Sequence, residues 1–460
     1  MKIKSLLILT ATALLALACC NEPSVIKTKV PARPAGQEHV IGLTAPALDT
    51  VRIGVVGLGM RGSHAVWRLN YVPGVKITAL CDIEPDRVEY SQKTLADLNR
   101  PAAKGYSGEE ESWKGLCEQE DVDLVYIVTD WVHHAPIALY AMEHGKHVAI
   151  EVPAAMNLDE IWALINTSER TRKHCMMLEN CVYDFFELTT LEMAKKGVFG
   201  DIIHAEGSYQ HNLDPFWDGY WHNWRMVYNR DHRGDVYPTH SIGPVCQALD
   251  IHRGDRMKTL VAMDTKPFNG VKKWEAHTGE PCTEFKNGDQ TCTLISTEKG
   301  KTILIEHDVM TPRPYSRMYQ LVGTEGYAAK YPIELYCLGE EMEGPVDAVT
   351  IVDEKVYTGD EMYQLQSAYN SPIMTPELEA LAKEVGGHGG MDYIMDYRLI
   401  YCLRNGLPLD MDVYDLAEWC CLSELSSISL EHGNMPVEVP DFTRGAWDLV
   451  KGFSYALAAE

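Results

Sequence analysis

The sequence lacks several features, and each absence excludes a class of protein. No apolar run reaches the roughly 20 residues that a membrane-spanning helix needs, and the N-terminal run, Leu6 to Ala18, is too short. Only 41 Lys and Arg stand against 66 Asp and Glu, and the formal charge of −25 opposes binding to nucleic acid. No Cys, His or Asp cluster has metal-ligand spacing, so we predict no metal site. No internal repeat is visible, which leaves a globular protein of two or three domains.

The N-terminus is typical of an exported protein. Two lysines precede the apolar run, which ends in small residues beside Cys19 and Cys20. We predict a signal peptide over residues 1–20 and a periplasmic or membrane-anchored lipoprotein with its lipid on Cys19 or Cys20; simple secretion is the alternative. Residues 21–49, with prolines among small and polar residues, predict a linker. The 11 remaining cysteines of the 13 are irregularly spaced, which indicates buried free thiols.

A glycine-rich turn follows this segment. The stretch VRIGVVGLGMRGSHA places Gly57, Gly59 and Gly62 between a β-branched apolar run and a stretch with helical apolar spacing. In that context the glycines permit a tight turn and close approach to a pyrophosphate, which the helix N-terminus attracts. Twenty residues past Gly62, the apolar run VKITALCD ends in Asp82, where a carboxylate accepts hydrogen bonds from ribose hydroxyls and favours NAD over NADP.

The rest of the N-terminal half continues this pattern. VDLVYIVTD predicts a strand, HHAPIALYAMEHG a helix and KHVAIEVP a strand, which indicates a doubly wound parallel sheet, a Rossmann domain, over residues 50–180. Residues 129–134 and 151–153 follow strands and should face the ligand crevice. His133 and His134 have three interpretations: metal ligands, residues that start the helix, or, for His134, a contact beside the nicotinamide.

These motifs, in this order, resemble the glucose-fructose oxidoreductase and inositol dehydrogenase superfamily. The resemblance rests on GLGMRG, on CD and on TDWVHHAPIALYAMEHGKHVAIEVPAA. It implies an α/β fold in which the Rossmann domain precedes a C-terminal α+β domain, residues 181–460, with an open, mainly antiparallel sheet. Members usually carry Glu-Lys-Pro after the fifth strand, where the lysine assists proton transfer. Here the triplet is Glu151-Val152-Pro153, and valine cannot transfer a proton.

Further motifs resemble glycoside hydrolase family 109, the NAD-dependent α-N-acetylgalactosaminidases, over about residues 50–455. They are EVPAA, ENCVYDFFEL, WRMVYNRDHRGDVYPTH, HDVMTPRPYSR and GHGGMDY. The resemblance implies that bound NAD oxidises the sugar at C3, the C2 proton leaves, the aglycone departs by elimination, water adds, and the ketone is reduced again. A tightly bound cofactor that is regenerated in each turnover needs no external supply. No twin-arginine pair precedes the apolar run, so the export route and the loading of the cofactor stay open.

The motifs and the resemblance together assign roles to single residues. The predicted cofactor contacts are Gly57, Gly59, Met60, Arg61, Gly62, Asp82, Trp131, His134, Glu151, Val152 and Asn180. The predicted sugar contacts are Tyr209, Arg225, Tyr237, Pro238, Thr239, His240 and Tyr315. The predicted catalytic residues are Glu151, Tyr183, Tyr237 and His240. Tyrosine and histidine suit proton transfer near neutral pH when neighbours tune their pKa values.

Residues 209–240 are rich in aromatic side chains. They contain eight, where the overall aromatic fraction of 9% predicts about three. This density favours a surface on which a sugar ring stacks; a packed core or a dimer contact is the alternative. Tyr237 and His240 lie three residues apart, and a rigid turn or helix start at Pro238 would direct both side chains toward one point. The alternative is that His240 has only a structural role. His388, among glycines, either approaches a ligand or belongs to a loop that caps the next helix.

Other functions remain open at this level. An exported NAD-dependent sugar oxidoreductase would oxidise its substrate with net formation of NADH, and a non-catalytic sugar-binding module would not depend on His240. A pair of catalytic carboxylates is possible in principle, but no such pair is recognisable. The expected partner is a glycan with a terminal N-acetylhexosamine. The superfamily's open sheet implies a homo-oligomer.

Overall fold

The computed structural model describes residues 25–339 and 354–459, so the predicted signal peptide lies outside the described residues. Within these two ranges, no helix has both the length and the apolar character needed to cross a bilayer. The prediction of buried free thiols is confirmed for eight cysteines within these ranges. Those eight are Cys81, Cys117, Cys175, Cys181, Cys246, Cys402, Cys420 and Cys421.

The N-terminal domain is built on a six-stranded parallel sheet with the strand order β3-β2-β1-β4-β5-β6. Its strands are β1 (Val51–Val56), β2 (Val75–Asp82), β3 (Lys104–Ser107), β4 (Leu124–Ile127), β5 (His147–Ile150) and β6 (Cys175–Met177). Its helices are α1 (Met60–Leu69), α2 (Pro85–Asp97), α3 (Trp113–Glu118), α4 (Trp131–Glu143) and α5 (Leu158–Thr171). β4 and β5 are buried along their whole length, because helices cover both faces of a parallel sheet. The order reverses between β1 and β4, and this reversal opens a crevice at the carboxyl ends of the strands.

The second domain contains a nine-stranded sheet with the order β14-β13-β12-β11-β7-β10-β9-β8-β15. Only the β7–β10 pair is parallel among its described strand pairs, and all the others are antiparallel. The strands are β7 (Ile202–Gln210), β8 (Met257–Asp264), β9 (Thr291–Thr297), β10 (Thr302–Asp308), β11 (Gln320–Gly323), β12 (Gly326–Ala329), β13 (Leu335–Gly339), β14 (Glu354–Tyr357) and β15 (Val437–Glu438). The predicted fold class, α/β with an open, mainly antiparallel second sheet, is therefore confirmed.

Nine further helices lie in the described part of this half of the chain, and those that begin at Thr239 and Leu422 pack on one face of the sheet. They are α6 (Phe185–Lys195), α7 (Trp224–Asp231), α8 (Thr239–Ala248), α9 (Gly270–Thr278), α10 (Gly359–Gln366), α11 (Pro376–Val385), α12 (Met391–Asn405), α13 (Val413–Cys420) and α14 (Leu422–Glu431). Short 3₁₀ turns lie at Asn180–Tyr183, Trp217–Gly219, Trp221–Asn223 and His388–Gly390. The other face exposes apolar side chains such as Met263 and Leu294.

Helix α12 belongs to the second half of the chain but packs on the Rossmann domain. Asp396 in its middle accepts hydrogen bonds from Arg68 Nε at 2.7 Å and from the Tyr126 hydroxyl at 2.9 Å. All three side chains are buried. This contact brings the first turn of α12, including Asp392, to the mouth of the crevice.

The linker predicted for residues 21–49 is wrong for its described part. Residues 25–49 form a docked arm: Ile26 pairs with Val437 at the edge of the second sheet, and Arg33 Nε donates to the buried Glu169. Val40 is buried in the arm, and its backbone N–H donates to a tyrosine hydroxyl. Prolines prevent regular structure here, but they do not prevent apolar side chains from packing.

Candidate active site

The glycine turn between β1 and α1 has the geometry that a dinucleotide requires. Gly57 has φ +89°, and a Cβ there would lie 2.5 Å from the backbone oxygen of Val128. A Cβ at Gly62 would lie 1.9 Å from the backbone oxygen of Gly57. A Cβ at Gly59 meets only the end of an arginine side chain, so this position leaves room for a pyrophosphate. No side chain caps the N-terminus of α1, which leaves its N–H groups for an anion.

Asp82 lies at the end of β2, beside this turn, as predicted. Its Oδ2 accepts from the Leu58 N–H at 2.6 Å, and its Oδ1 accepts from the Glu84 N–H at 3.0 Å. Arg87 Nη1 donates to the same Oδ1 at 3.4 Å. The carboxylate is therefore fixed at the position where the adenosine ribose of a bound dinucleotide lies. Turn, uncapped helix and carboxylate together fit NAD.

Several predicted cofactor contacts lie in one polar network across the mouth of the crevice. Arg61 donates to Glu151 Oε1 through Nη2 at 2.7 Å, and to Asp392 Oδ2 through Nη1 at 3.0 Å. Asn180 Nδ2 donates to Asp392 Oδ1 at 2.5 Å, and His388 Nδ1 lies 2.9 Å from Oδ2. Burial alone would raise the pKa of Asp392, but Arg61 and His388 hold it well below its usual range. Glu151 thus holds Arg61, and both stand beside the glycine turn.

Trp131 and His134 lie at the other end of the crevice, at the start of α4. The Trp131 ring stacks on Tyr237 with centroids 5.6 Å apart. His134 is buried, with Nδ1 2.7 Å from the Pro153 carbonyl oxygen and Nε2 3.0 Å from that of Thr129. Burial lowers the pKa of His134. Both ring nitrogens face backbone oxygens, so only the carbon edge of the ring is left for the predicted nicotinamide contact.

Tyr237, His240 and Glu179 form a hydrogen-bonded relay where the two domains meet. His240 Nδ1 lies 2.7 Å from Glu179 Oε1 and 2.9 Å from Oε2. A carboxylate can only accept, so Nδ1 carries the proton, and Nε2 is left to accept from the Tyr237 hydroxyl at 3.1 Å. Burial alone would raise the pKa of Glu179, but His240 and the Cys181 N–H lower it overall. Glu179 follows β6 at the carboxyl edge of the Rossmann sheet, whereas His240 lies in the first turn of α8.

Arg225 is a buried cation enclosed by aromatic rings. Its guanidinium carbon lies 4.4 Å from the ring centroid of Tyr237, 5.1 Å from Trp131 and 5.4 Å from Tyr220. Nη1 donates to the Tyr220 hydroxyl at 2.7 Å, but Nε and Nη2 have no acceptor in the described part of the chain. Burial alone would lower the pKa of Arg225, but the surrounding tyrosines raise it overall, so the side chain stays charged. A buried cation with two free donors implies that a ligand supplies the acceptor.

Of the remaining predicted sugar contacts, Tyr209 lies beside this cation, with its ring centroid 5.8 Å from the guanidinium carbon. Tyr209 is buried, its hydroxyl lies 2.9 Å from His211 Nδ1, and its ring lies 4.6 Å from that of Tyr237. Thr239 is buried, and its hydroxyl has no partner among the described residues. Tyr315 is 43% exposed at the rim. Pro238 directly precedes α8 and fixes the start of the helix, as its position between Tyr237 and His240 predicted.

Tyr183 does not join this group, and its predicted role at the sugar is corrected. Its side chain is completely buried, and its hydroxyl donates to Asp410 at 3.1 Å. Asp410 also binds Arg398 through both carboxylate oxygens. Because this buried cluster satisfies the hydroxyl, Tyr183 has a structural role.

Sequence reasoning missed Glu179 and Asp392. Glu179 had one usable signal, an acid directly after a predicted strand at the ligand edge of a parallel sheet. Asp392 had none, because its partner Arg61 lies 331 residues away along the chain. His388, left open above, contacts this network and Arg61 instead of only capping α12.

Two described trios have the chemistry of metal ligands. The ligand atoms of Glu179, Cys181 and His240 lie within 4.8 Å of one another, as do those of His252, Asp412 and Asp415. In the first trio, Glu179 is already bound to His240, and burial raises the pKa of the Cys181 thiol well above its usual range. In the second, an arginine binds both oxygens of Asp415. The geometry therefore favours hydrogen-bonded pairs at both positions.

Comparison with known proteins identifies the family of each domain. Residues 51–179 match the family model described as the oxidoreductase family, NAD-binding Rossmann fold. Residues 183–449 match the model described as glycosyl hydrolase 109, C-terminal domain. Among solved structures, a levoglucosan dehydrogenase in complex with NADH and levoglucosan aligns with a TM-score of 0.62 at 16% identity, covering 85% of this chain and 100% of that one. A myo-inositol dehydrogenase from Lactobacillus casei in complex with NAD(H) and myo-inositol aligns with a TM-score of 0.54 at 16% identity, covering 86% and 99%.

Curated relatives are much more similar. Glycosyl hydrolase family 109 protein 1 from Bacteroides fragilis is 62% identical over 455 residues, which cover 96% of this chain and 97% of the relative. The glycosyl hydrolase family 109 protein from Porphyromonas gingivalis is 64% identical over 439 residues, which cover 94% and 93%. The cofactor is NAD, in agreement with the glycine turn and Asp82. The chain belongs to glycosyl hydrolase family 109 and is a glycosidase that uses NAD.

Proposed function

We propose that the protein is an exo-glycosidase that removes terminal N-acetylgalactosamine, in α-linkage, without net oxidation of the sugar. The observation that carries this proposal is the relay of Tyr237, His240 and Glu179 beside the unpaired Arg225, at the crevice that holds NAD. A glycosidase that works by two carboxylates has no need of this arrangement. The lysine of the wider superfamily is Val152 here, so the relay takes over proton transfer.

The relay suits removal of the proton from the sugar's C3 hydroxyl. When bound, NAD supplies reversible acceptance of the C3 hydride. Burial raises the pKa of Tyr237 well above its usual range, so its hydroxyl is neutral and donates to His240 Nε2. We propose that Tyr237 passes this proton to His240 as it receives the proton of the C3 hydroxyl. The Glu179 carboxylate then faces an imidazolium, whose charge it stabilises.

Arg225 suits the next step, in which the C2 proton leaves and the leaving group departs from C1. Removal of a proton beside a ketone places negative charge on the C3 oxygen. A buried guanidinium with Nε and Nη2 free is a preorganised donor for such a charge. His211 and His307 do not add charge here, because burial and Arg225 lower their pKa values to about 4 and about 3. Water then adds to C1, C2 takes up a proton from solvent, C3 takes back its hydride, and the same relay returns its proton to the C3 oxygen.

The aromatic rings around Arg225 suit a sugar ring, which stacks its apolar face on an aromatic surface. Trp131, Tyr209 and Tyr237 all have centroids within 6 Å of the guanidinium carbon. The free hydroxyl of Thr239 supplies a further polar contact for the ligand. The expected ligand is therefore a single terminal sugar with polar substituents, the N-acetylhexosamine end of a glycan.

A panel of p-nitrophenyl glycosides tests this function. The purified enzyme, with no added NAD, should release p-nitrophenol from the α-N-acetylgalactosaminide faster than from the β-anomer or the α-N-acetylglucosaminide. NADH should not accumulate. A sugar oxidoreductase, the alternative function, would form NADH in proportion to the sugar consumed and would release no p-nitrophenol.

We further propose that the protein is exported and carries a lipid on Cys19 or Cys20, with a terminal glycan as its partner. Palmitate labelling of the protein and of a variant in which both cysteines are serine tests the lipid. We also propose a homo-oligomer through the open sheet face, where Met263 and Leu294 are exposed. Light scattering of the parent and of Leu294→Lys tests this oligomer.

A further inference from the structure

A segment of the second domain reaches across to the Rossmann domain. We call residues 214–223 the crossing segment; they lie between β7 and α7. Trp221 in this segment donates from Nε1 to Glu84 Oε1 at 3.2 Å. Glu84 comes two residues after Asp82, and its N–H donates to Asp82 Oδ1. The tip of the crossing segment therefore lies at the adenosine end of the cofactor crevice.

The base of the crossing segment is fixed to its own domain. Asp214 binds Lys273 Nζ at 2.5 Å and His277 Nε2 at 3.2 Å, both in α9. Asp218 lies 3.0 Å from His277 Nδ1. Trp217 is completely buried. Because the base is held at these points, the tip has a defined position and is not a free loop end.

The chain after the tip contacts the opposite end of the crevice. His222 and Asn223 have φ of 49° and 51°, a left-handed turn that redirects the chain into α7. The Trp224 ring then packs edge-on against Trp131 at 5.0 Å, and the Tyr228 ring does so at 5.2 Å. Trp131 follows β4, at the nicotinamide end.

The strand order shows what lies between these two contacts. Glu84 follows β2 and Trp131 follows β4, and β1 lies between those strands. Neighbouring strands are about 4.8 Å apart, so the two contacts span about 10 Å across the carboxyl end of β1. The glycine turn from Gly57 to Gly62 occupies that end. A chain that touches both sides therefore crosses in front of the pyrophosphate site.

We propose that the crossing segment is a strap that retains bound NAD, and that the Trp221–Glu84 hydrogen bond is its latch. Trp221 and Glu84 thus become cofactor-retaining residues outside the glycine turn. The strap gives a physical reason for a cofactor that does not exchange between turnovers, a property on which the proposed function rests. Opening of the latch is then the step that limits release of NAD.

Release of NAD from loaded protein tests the strap. The parent, Trp221→Phe, Glu84→Ala and the double variant are loaded with NAD, freed of excess and mixed with alcohol dehydrogenase and ethanol. That enzyme converts each released NAD to NADH, which is followed by fluorescence. Each single variant should release NAD about tenfold faster than the parent, since each loses one hydrogen bond to a charged group. The double variant should be no faster than the faster single variant, because one bond is lost in each case.

Trp67→Phe is the matched control. Trp67 is 37% exposed and Trp221 is 36% exposed, but Trp67 lies on α1 and packs against Tyr71. It should release NAD at the parent rate. If Trp221→Phe releases NAD at the parent rate, the proposed strap is wrong. If the double variant releases NAD faster than either single variant, so that the two effects add, the proposed Trp221–Glu84 latch is wrong. This assay measures only the release of NAD. An enzyme that fails to hydrolyse glycosides would therefore contradict the proposed function without changing the outcome of this test of the strap.

Discussion

Replacing Glu179 with glutamine keeps the size of the side chain but removes the charge behind His240. Both carboxylate oxygens lie within 2.9 Å of His240 Nδ1, and Glu179 has no solvent exposure. Glutamine can still accept from Nδ1–H through its oxygen, so the ring keeps its position. The stabilisation of an imidazolium, in contrast, is lost.

The expected loss follows from that geometry. A hydrogen bond to a charged group contributes about 1.5–3 kcal/mol and a neutral one about 0.5–1.5 kcal/mol. The difference, about 1–2 kcal/mol, appears in the transition state, where His240 carries the proton. We therefore expect kcat for Glu179→Gln to fall by about 5- to 30-fold, with NAD content unchanged.

Hydrolysis of p-nitrophenyl α-N-acetylgalactosaminide measures kcat, and absorbance of the heat-released cofactor measures NAD content. Glu169→Gln is the matched control: Glu169 is equally buried in ion pairs with Arg33 and Arg444, remote from the relay. It should lose stability but keep kcat. The reasoning is refuted if Glu179→Gln keeps its kcat within twofold of the parent, or if Glu169→Gln falls as far.

Three further predictions concern stability and the cofactor. Tyr183→Phe should keep kcat within twofold and lose about 1.5–3 kcal/mol of unfolding free energy, because its hydrogen bond to the Asp410 carboxylate is lost. Tyr237→Phe, in contrast, should lower kcat about 10²-fold; the same glycoside assay and urea unfolding distinguish them. Burial raises the pKa of Asp235 from 3.8 to about 7. The folded protein therefore binds this proton more tightly than the unfolded chain, and the resulting stability is complete below about pH 4 and is lost as the pH rises to 7. Between pH 4 and pH 7 the unfolding free energy of Asp235→Asn should therefore rise relative to that of the parent by up to about 4 kcal/mol, and above pH 7 the difference should stay constant. An equal dependence of the unfolding free energy on pH in both proteins would contradict this prediction. Gly57→Ala should weaken NAD binding at least about tenfold in a fluorescence titration, because its φ of +89° and the 2.5 Å approach to Val128 force the turn to shift.

The cofactor half could be predicted from the sequence because its signals are local. Gly57, Gly62 and Asp82 lie in a short stretch with one strand-turn-helix pattern, and the structure places them as that pattern requires. The same holds for Tyr237 and His240, which are three residues apart with a proline between them.

The rest depends on contacts between distant parts of the chain. Glu179 meets His240 from 61 residues away, and Asp392 meets Arg61 from 331 residues away. Tyr183 shows the limit of a resemblance, which gives a residue type but not the direction of its side chain. Asp410, which holds its hydroxyl, lies 227 residues further on.

The most direct test of the mechanism is hydrolysis of p-nitrophenyl α-N-acetylgalactosaminide in D₂O by purified enzyme without added NAD, with the released sugar analysed by NMR and mass spectrometry. Free N-acetylgalactosamine incubated with heat-inactivated enzyme controls for exchange without catalysis. Transient oxidation at C3 with loss of the C2 proton predicts deuterium at C2 of the released sugar. Release of a sugar that carries only hydrogen at C2 would contradict it and point to direct hydrolysis.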